Sequence, residues 1–372
     1  MNPLRIIISG GGTGGHVNPA LAVANKIKSL NKNSEILFIG TEDRIEAKLV
    51  PNEGYNIKFV KVRGFQRNLS MKNIDAAIKA VTSVMTAKKY IKEFKPDIAF
   101  GTGGFVSWAA IKAAGKAGIP VVIHEQNAFP GVTTKMLSKY ASRICISFEE
   151  SRKYFAPELQ DRIVFTGNPV KTDKFIYSSE EARRMLGIPL DSFYILSYGG
   201  SMGADAINKY CIGMMETTSK TDNVYHIHAT GSIGWEKFKA FAEEKKLMNN
   251  PRVEICEYIY DMPIRMAAAD LVIGRAGAIT LAELAYLGKP AILIPSPYVA
   301  EDHQYKNAAV LADAKAAIVY RESECDAEKL AETVKQLIND SEKRMLFSKN
   351  IRKFSASDAD TKIYQEIKQA LK

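Results

Sequence analysis

Short apolar runs alternate with longer helix-like patterns along nearly the whole chain. The runs are rich in Val, Ile and Leu, which is typical of parallel strands that are covered on both faces. In chain order they read RIIISG, EILFIG, IAFGTGG, PVVIHE, RICIS, FYILSYGGS, YHIHATG, VEICEY, LVIGRAG and AILIPSP. The theme restarts at LGIPLDSFYILSYGGS. The pattern therefore predicts an α/β protein with two domains that join near residues 165–175.

Four predicted strand-to-helix junctions carry glycines: SGGGTGGH, GTGGF, YGGSMGA and GRAGA. One such turn is weak evidence for a ligand site, because tight turns need glycine for steric reasons alone. In parallel sheets, however, ligands bind beyond the carboxyl ends of the strands. Four glycine turns split between two domains predict two Rossmann-like domains that face each other across a cleft.

The first of these loops, Gly10 to Gly15, fits a dinucleotide site poorly. The G-x-G-x-x-G spacing is present, but Gly40 and Thr41 stand where an acidic residue should close the next strand. No Walker lysine follows the glycines either. The remaining interpretation is an anion cradle of backbone N–H groups at a helix N-terminus, with His16 at its edge.

Composition indicates a soluble globular protein of 372 residues, with 46% hydrophobic and 25% charged residues. No apolar run approaches the roughly 18 residues of a membrane span. The first strand begins so close to residue 1 that we expect no signal peptide. The four cysteines lack the spacing of metal ligands or redox pairs, so we expect reduced thiols in a cytoplasmic protein.

The net charge of +10 is distributed unevenly. Residues 1–170 carry 24 Lys and Arg against 13 Asp and Glu, whereas the remainder carries 27 against 28. The simpler interpretation is a solvated basic surface. The alternative is that the N-terminal half meets an anionic partner, such as nucleic acid, a phosphorylated lipid or a membrane surface.

Seven stretches together resemble the MurG family of N-acetylglucosaminyltransferases, over about residues 5–310. They are GGTGGHVNPALAVA, GTGGFVSWAAIKAAGKAGIPVVIHEQNAFPG, TGNPVK, YGGSMGA, EYIYDMP, GRAGAITLAELAYLGKPAILIPSP and EDHQYKNA. The resemblance implies the GT-B fold, with an acceptor and membrane-associating domain at 1–168 and a donor domain at 169–342. Residues 343–372 would form a terminal helix that packs back on the first domain.

The resemblance also implies the reaction. An inverting transfer would move N-acetylglucosamine from UDP to the 4-hydroxyl of the N-acetylmuramyl unit of lipid I. The product, lipid II, serves peptidoglycan synthesis. An N-terminal half that holds the positive excess suits a pyrophosphate-linked acceptor in an anionic leaflet.

Site residues carried over from the resemblance fall into a donor set and an acceptor set. Glu283 would bind the ribose hydroxyls and the backbone of Ile259 would bind the uracil, while Arg275 would add charge near the phosphates. Ser201 and the amides of the helix that follows Gly277 would hold the pyrophosphate without a metal. The donor set is Thr13, Gly14, Gly15, Asn127, Lys171, Ser201, Ile259, Ala278, Ile279, Thr280, Glu283 and Gln304. The acceptor set is Gly11, Gly12, Thr13, Gly14, Gly15, His16, Gly103, Gly104 and Phe105.

Inverting transfer needs a base for the proton of the attacking hydroxyl. His16 is the first candidate, because it lies directly on a glycine loop; the alternative is that it only orients that loop. Glu125 of HEQN is the second candidate, and its alternative role is to bind loop amides. No metal-ligand cluster is present in the sequence, so we expect no metal and no other cofactor, with UDP-N-acetylglucosamine as a substrate.

Three positions depart from the family pattern. Phe105 stands where tyrosine is frequent, and Trp108 follows where glycine and proline are common. Lys171 replaces an arginine, which keeps the charge but loses the bidentate fork. None of these removes an essential role, but each weakens the transfer of acceptor contacts from the family.

Residues Met71 to Lys95 form an amphipathic helix pattern with flanking lysines. Ile74, Ile78, Val81, Met85 and Tyr90 or Ile91 would share one face. An ordinary core-facing helix is one interpretation. The other is contact with the cytoplasmic face of an anionic cell membrane, as a peripheral protein.

Three rival functions remain. Another GT-B lipid glycosyltransferase of the diacylglycerol type would share the donor motifs, and a UDP-sugar epimerase would need more acid and base residues. A non-catalytic nucleotide- or nucleic-acid-binding protein would use the basic half. Nucleic acid is not expected as a partner, since the basic residues lack the aromatic-interleaved strand surface of single-strand binders.

Overall fold

The computed structural model describes residues 3–62 and 71–372, and for residues 71–78 it describes the backbone alone. Contacts divide the chain into two compact units. The first unit comprises residues 1–170 with 356–372, and the second comprises residues 171–355. The passage from one to the other lies within the predicted interval of 165–175.

Each unit contains one parallel β-sheet. The first sheet has the order β3-β2-β1-β4-β5-β6-β7 and the second has the order β10-β9-β8-β11-β12-β13. The strands are β1 (Arg5–Ser9), β2 (Glu35–Gly40), β3 (Asn56–Phe59), β4 (Ile98–Gly101), β5 (Val121–Glu125), β6 (Arg143–Ile146), β7 (Ile163–Phe165), β8 (Phe193–Tyr198), β9 (Val224–Ala229), β10 (Val253–Cys256), β11 (Leu271–Gly274), β12 (Ala291–Leu293) and β13 (Ile318–Val319). Both sheets have Rossmann-like strand order, which confirms the predicted α/β class.

Helices connect the strands. They are α1 (Gly14–Leu30), α2 (Glu46–Asn52), α3 (Met71–Phe94), α4 (Gly104–Lys116), α5 (Val132–Leu137), α6 (Ser179–Leu186), α7 (Asp205–Thr218), α8 (Trp235–Glu244), α9 (Met262–Ala268), α10 (Ala278–Leu287), α11 (His303–Asp313), α12 (Ala327–Asn339), α13 (Ser341–Ile351) and α14 (Ala359–Gln369). Within the described ranges, none of them combines the length and apolar character that crossing a membrane requires.

All ten predicted strands are present, and the three that were not predicted lie at sheet edges. These are β3 and β7 in the first sheet and β13 in the second. An edge strand has one neighbour and less burial, so its sequence needs no continuous apolar run. Strand β3, with the sequence NIKF, illustrates this, since none of its side chains is fully buried.

The predicted terminal segment, 343–372, needs correction because only its last part belongs to the first unit. Phe347 and Ile351 of α13 are buried, and Phe347 lies in the core of the second unit. Ile363 and Ile367 of α14 instead pack in the core beneath β1 and α1. The return to the first unit therefore occurs at residue 356.

Strand order reverses at β1 in the first unit and at β8 in the second. The glycine junctions that follow β1 and β4 lie at the first of these switch points. Those that follow β8 and β11 lie at the second. Connections leave in opposite directions at such a point and open a crevice at the carboxyl edge of the sheet. Each unit thus has the expected place for a ligand.

Candidate functional site

His16 lies in the first turn of α1, directly after the loop that follows β1. Its Nδ1 is 2.9 Å from the carbonyl oxygen of Thr102 and 2.9 Å from Oε1 of Gln126. Because a carbonyl oxygen can only accept, Nδ1 carries the hydrogen and Nε2 keeps a lone pair. Nε2 has no hydrogen-bond partner in the described chain. In the neutral ring, Nε2 of His16 is therefore a proton acceptor at the switch point.

The turn after β4 packs against the His16 ring. A side chain at Gly103 would place its Cβ 3.2 Å from Cε1 of His16. At Gly104, which has a φ of +74°, a Cβ would lie 2.4 Å from the carbonyl oxygen of Gly11. Glycine is therefore required at residue 104 for both backbone conformation and space. These residues of the predicted acceptor set form one wall around the histidine.

The start of α1 has the features of an anion cradle. The N–H groups of His16 and Val17 both donate to the carbonyl of Thr13, at 3.1 and 3.2 Å. The N–H groups of Gly14 and Gly15, the two residues before His16, have no partner among the described residues. Together with the helix dipole they favour an anionic group at this position.

Glu46 lies beneath the glycine loop and was not singled out from the sequence. Its side chain is fully buried, and Oε2 accepts from the N–H of Gly12 at 2.9 Å. Oε1 accepts from the N–H and hydroxyl of Thr41, at 3.1 and 2.6 Å. The N–H of Gly12 is therefore unavailable to a phosphate, which corrects the expectation for that residue. A carboxylate six residues beyond a strand end has no motif of its own, so only the fold reveals it.

Glu46→Ala is expected to destabilise the first unit by about 2–4 kcal/mol, because it leaves the buried N–H of Thr41 and the partly buried N–H of Gly12 without acceptors. Calorimetric unfolding would measure the effect. Glu42→Ala provides the matched control, since Glu42 is exposed in the same segment. Equal unfolding temperatures for the two variants would contradict this account of the loop.

Glu125 is not placed to act as the base. Its side chain is 1% exposed, and Oε1 accepts from the backbone N–H and side-chain amide of Asn127, both at 3.0 Å. Oε2 accepts from the N–H of Gly131 at 3.0 Å. A carboxylate with both oxygens engaged by loop amides acts as a loop anchor. The structure thus favours the alternative role of Glu125, and it holds the amide of Asn127 in the same network.

Phe105 is half-buried at the start of α4, next to the glycine loop. A Cβ at Gly12 would lie 3.5 Å from its ring, and the Arg44 guanidinium lies 5.9 Å from the ring centroid. No sequence motif pointed to Arg44. Its position adds a cation beside the predicted acceptor set.

The carboxyl edge of the second sheet contains a cavity of about 300 Å³. Its lining includes the turn after β8, the loop after β11 and the first turn of α11; the residues are Gly199, Gly203, Ala204, Asp205, Ala206, Arg275, Ser296, Tyr298, Gln304 and Glu322. Gln304, from the predicted donor set, accepts from the N–H of Ser296 at 2.9 Å. Ser201 is exposed in the turn after β8.

Helix α10 presents its N-terminus at the same edge. The first intrahelical bond runs from the N–H of Leu281 to the carbonyl of Gly277, and no side chain caps the helix. The amides of Ala278, Ile279 and Thr280 are thus the unpaired donors of a ten-residue helix. This arrangement suits a pyrophosphate, as the resemblance implies.

Arg275 does not offer a free positive charge to that pyrophosphate. Its guanidinium lies 2.6 Å from a carboxylate oxygen of Glu322, and the same nitrogen donates to the carbonyls of Ile294 and Pro295. The expectation of an additional charge at Arg275 is corrected accordingly, since Glu322 offsets it. Arg275 instead ties the loop after β11 to the segment that follows β12.

Glu283, one turn further along α10, has a carboxyl group with a shifted pKa. Burial raises its pKa to about 7, although Lys174 favours the charged form. The hydroxyl of Tyr198 lies nearby, and burial raises the pKa of that tyrosine as well. The backbone N–H and C=O of Ile259 have no partner in the part of the chain described, as a base-binding backbone requires. The structure brings both residues into the second unit.

The predicted donor set is divided between the units. Thr13, Gly14, Gly15 and Asn127 belong to the first, whereas Lys171 is the first residue of the second. The remaining members all lie in the second unit. Among the described side chains, no three His, Cys, Asp or Glu residues are grouped as metal ligands would be.

Both units match known protein families. Residues 6–146 match the glycosyltransferase family 28 N-terminal domain, and residues 194–363 match the family 28 C-terminal domain. Relatives over nearly the full length bear the name UDP-N-acetylglucosamine--N-acetylmuramyl-(pentapeptide) pyrophosphoryl-undecaprenol N-acetylglucosamine transferase. The one from Acetivibrio thermocellus is 44% identical over 369 residues, which is 99% of each chain. The one from Clostridioides difficile is 39% identical, covering 98% of this chain and 88% of the relative.

Solved structures agree with this placement. MurG from Acinetobacter baumannii superposes with a TM-score of 0.79 at 27% identity, covering 99% of this chain and 100% of that one. A UDP-GlcNAc 2-epimerase from Neisseria meningitidis has a TM-score of 0.70 at 14% identity over 98% of this chain and all of its own, and shares the fold alone. The two Rossmann-like units match the predicted GT-B class. The chain therefore belongs to glycosyltransferase family 28 and, within it, to the MurG family of N-acetylglucosaminyltransferases.

Proposed function

We propose that the chain transfers N-acetylglucosamine from UDP to the 4-hydroxyl of the N-acetylmuramyl unit of lipid I, forming lipid II. Near-full-length identity of 44% to a relative with that name supports the substrates. The observation that carries the chemistry is the orientation of His16, whose Nδ1 is held by two oxygens while Nε2 remains open.

In the proposed step, the acceptor 4-hydroxyl oxygen attacks the anomeric carbon as its proton passes to Nε2 of His16. The new C–O bond forms on the face opposite the bond to phosphate, so the configuration inverts. The bond between the anomeric carbon and the phosphate oxygen breaks, and UDP leaves with the electron pair. The resulting imidazolium is stabilised by the oxygens of Thr102 and Gln126, which both accept from Nδ1.

The second unit would hold the leaving group. The open amides at the start of α10 can accept the negative charge that develops on the pyrophosphate, as preorganised dipoles do. Glu283 would accept hydrogen bonds from the ribose hydroxyls, and the backbone of Ile259 would bind the uracil. We propose that this arrangement replaces a metal ion in charge stabilisation.

The decisive experiment measures UDP release from UDP-N-acetylglucosamine with and without a lipid I analogue. We expect release that depends on the acceptor and persists in chelator. Failure of the analogue to accelerate release would overturn the proposed function. A loss of turnover in chelator would instead overturn only the proposal of metal-free chemistry.

We further propose that the first unit contacts the cytoplasmic face of an anionic membrane through α3 and its neighbours. On the described part of α3, Ala87 and Ile91 are buried in the core, so the predicted single face that included Tyr90 or Ile91 was wrong. Val81 and Met85 point away from that core and are 65% and 67% exposed. Predicted Ile74 and Ile78 lie outside the described side chains.

Helix α5 adds further exposed apolar side chains to the first unit. Helix α4 packs against both α3 and α5. On α5, Val132 and Met136 are about half exposed, at 52% and 50%. Lys135 on the same helix and Lys139 just after it carry positive charges. Exposed apolar side chains accompanied by lysines are typical of interfacial membrane contact.

The double variant Lys88→Glu/Lys89→Glu is expected to weaken binding to anionic vesicles by about tenfold or more, since each lysine near such a surface contributes about 1 kcal/mol. Vesicle sedimentation would measure it. The pair Lys335→Glu/Lys349→Glu, in the second unit, changes net charge equally and should bind as wild type. Equal vesicle binding by both double variants, or no vesicle binding by the wild type, would contradict a membrane contact at α3.

A further inference from the structure

We propose that Gln126 is a positioning residue for His16: its amide is locked by His124, so that its oxygen holds Nδ1 and leaves Nε2 to receive the proton. The inference rests on the proposed role of His16 as the base. Gln126 belongs to neither predicted substrate set. It is 1% exposed and is the first residue after β5.

The orientation of the Gln126 amide is fixed by a group that can only accept. Its Nε2 lies 3.2 Å from the backbone carbonyl oxygen of His124 and 2.9 Å from Nδ1 of the same residue. A carbonyl cannot donate, so the nitrogen of the amide faces His124 and the oxygen faces His16. Turning the amide over would set two oxygens against each other in a buried site.

The tautomer of His124 is fixed in the same way from the other side. Its Nε2 lies 2.9 Å from the carbonyl oxygen of Gly167, so Nε2 carries the hydrogen and Nδ1 accepts from Gln126. Burial lowers the pKa of His124 to about 4, which keeps the ring neutral at physiological pH. The chain of bonds from Gly167 through His124 and Gln126 to His16 therefore has one consistent direction.

Gln126 adds to what Thr102 already provides. The carbonyl of Thr102 is one acceptor for Nδ1 of His16, and Oε1 of Gln126 is the second at the same distance of 2.9 Å. Two acceptors hold the ring in one plane and favour the tautomer in which Nδ1 is protonated. They also stabilise the imidazolium, which donates through the same hydrogen.

The charges around this network are few. His124 and Glu125 lie on β5, and Glu46 on α2 lies beneath the glycine loop. The turn after β4, residues 102–104, has no ionisable side chain. Gln126 is thus the polar side chain of the network whose replacement changes the environment of Nδ1 without adding or removing a charge.

The test replaces Gln126 with methionine, which has a similar length and neither donor nor acceptor of comparable strength. We expect kcat to fall about 10- to 100-fold, with an unchanged KM for UDP-N-acetylglucosamine. The acidic limb of the kcat profile should move to lower pH, because the imidazolium loses an acceptor. Two-bond ¹⁵N–¹H spectra of labelled protein should show Nδ1–H in the wild type and a larger Nε2–H population in the variant.

A second variant keeps the test decisive if methionine perturbs folding. Gln126→Glu retains an oxygen towards Nδ1 and adds a charge, so the acidic limb should move in the opposite direction, to higher pH. Gln160→Met is the matched control, because the Gln160 amide donates to the carbonyls of Arg152 and Phe155 away from this network. It should leave both the limb and the tautomer of His16 unchanged.

Two results would overturn the inference. One is a wild-type spectrum with the hydrogen on Nε2 of His16. The other is a limb that stays in place in both variants of Gln126, which would mean that the amide only supports the fold. The spectra do not depend on turnover. They therefore test the orientation of His16 by Gln126 even if another group proves to be the base.

Discussion

Replacing His16 with alanine is expected to lower kcat by about 10²- to 10⁴-fold, the usual contribution of a general base. The reason is geometric: Nδ1 is held by two oxygens, so Nε2 is the nitrogen left to take the acceptor proton. Binding of UDP-N-acetylglucosamine should change little, because the residues predicted to hold the uracil, the ribose and the pyrophosphate lie in the second unit. Steady-state kinetics and calorimetric titration would separate the two quantities.

The pH dependence makes this prediction specific. Loss of the base should remove the acidic limb of the kcat profile, and added imidazole should restore part of the rate by occupying the space left by the ring. His303→Ala, which removes a histidine from the second unit, should retain the limb. A His16→Ala enzyme with a wild-type profile would assign the proton transfer to another group, and the structure makes Glu125 a poor substitute.

Binding of UDP-N-acetylglucosamine is expected to weaken as the pH falls below about 7, by about tenfold per pH unit well below that value. Burial raises the pKa of Glu283 to about 7. Ribose hydroxyls donate to the carboxylate, so binding requires the ionised form. Protonation therefore competes with the ligand on the acidic side, whereas affinity is nearly constant above pH 8.

Calorimetric titration between pH 5.5 and 8.5, a range of about three units chosen around that pKa, would measure the effect. The sugar nucleotide is preferable to UDP because its pyrophosphate diester keeps a constant charge over this range. Glu283→Gln should bind weakly and without the pH dependence, and His303→Gln should preserve it. A wild-type affinity that is flat across this range would contradict the role assigned to Glu283.

Predictions from the sequence held best where a single segment contains the whole signal. Nine of the ten identified strands lie in the centre of a sheet, where burial on both faces requires apolar side chains throughout; the tenth, β10, is an edge strand. Edge strands such as β3 escape this constraint. The terminal segment was misjudged because α13 and α14 each bury some of their side chains, and the sequence pattern does not say which core each helix enters.

Motifs identified the family and the residues at the switch points, because glycine loops and helix starts are local features with fixed chemistry. His16 was found in this way. Side chains that act through a distant partner were not. Arg275 was expected to face the phosphates, but Glu322, 47 positions later in the chain, neutralises it. Glu125 was the second candidate base, but its carboxylate oxygens accept from three donors of the adjacent loop.

The sequence by itself determined the class of the fold, the family and the segments that form the two switch points. Each of these follows from apolar runs, turn residues and motifs that are contiguous in the chain. Only the tertiary structure decided which polar groups face one another: Glu46 under the glycine loop, and Gln126 between His124 and His16. Hydrogen bonds act over about 3 Å, so their partners are set by how strands and loops are assembled in space.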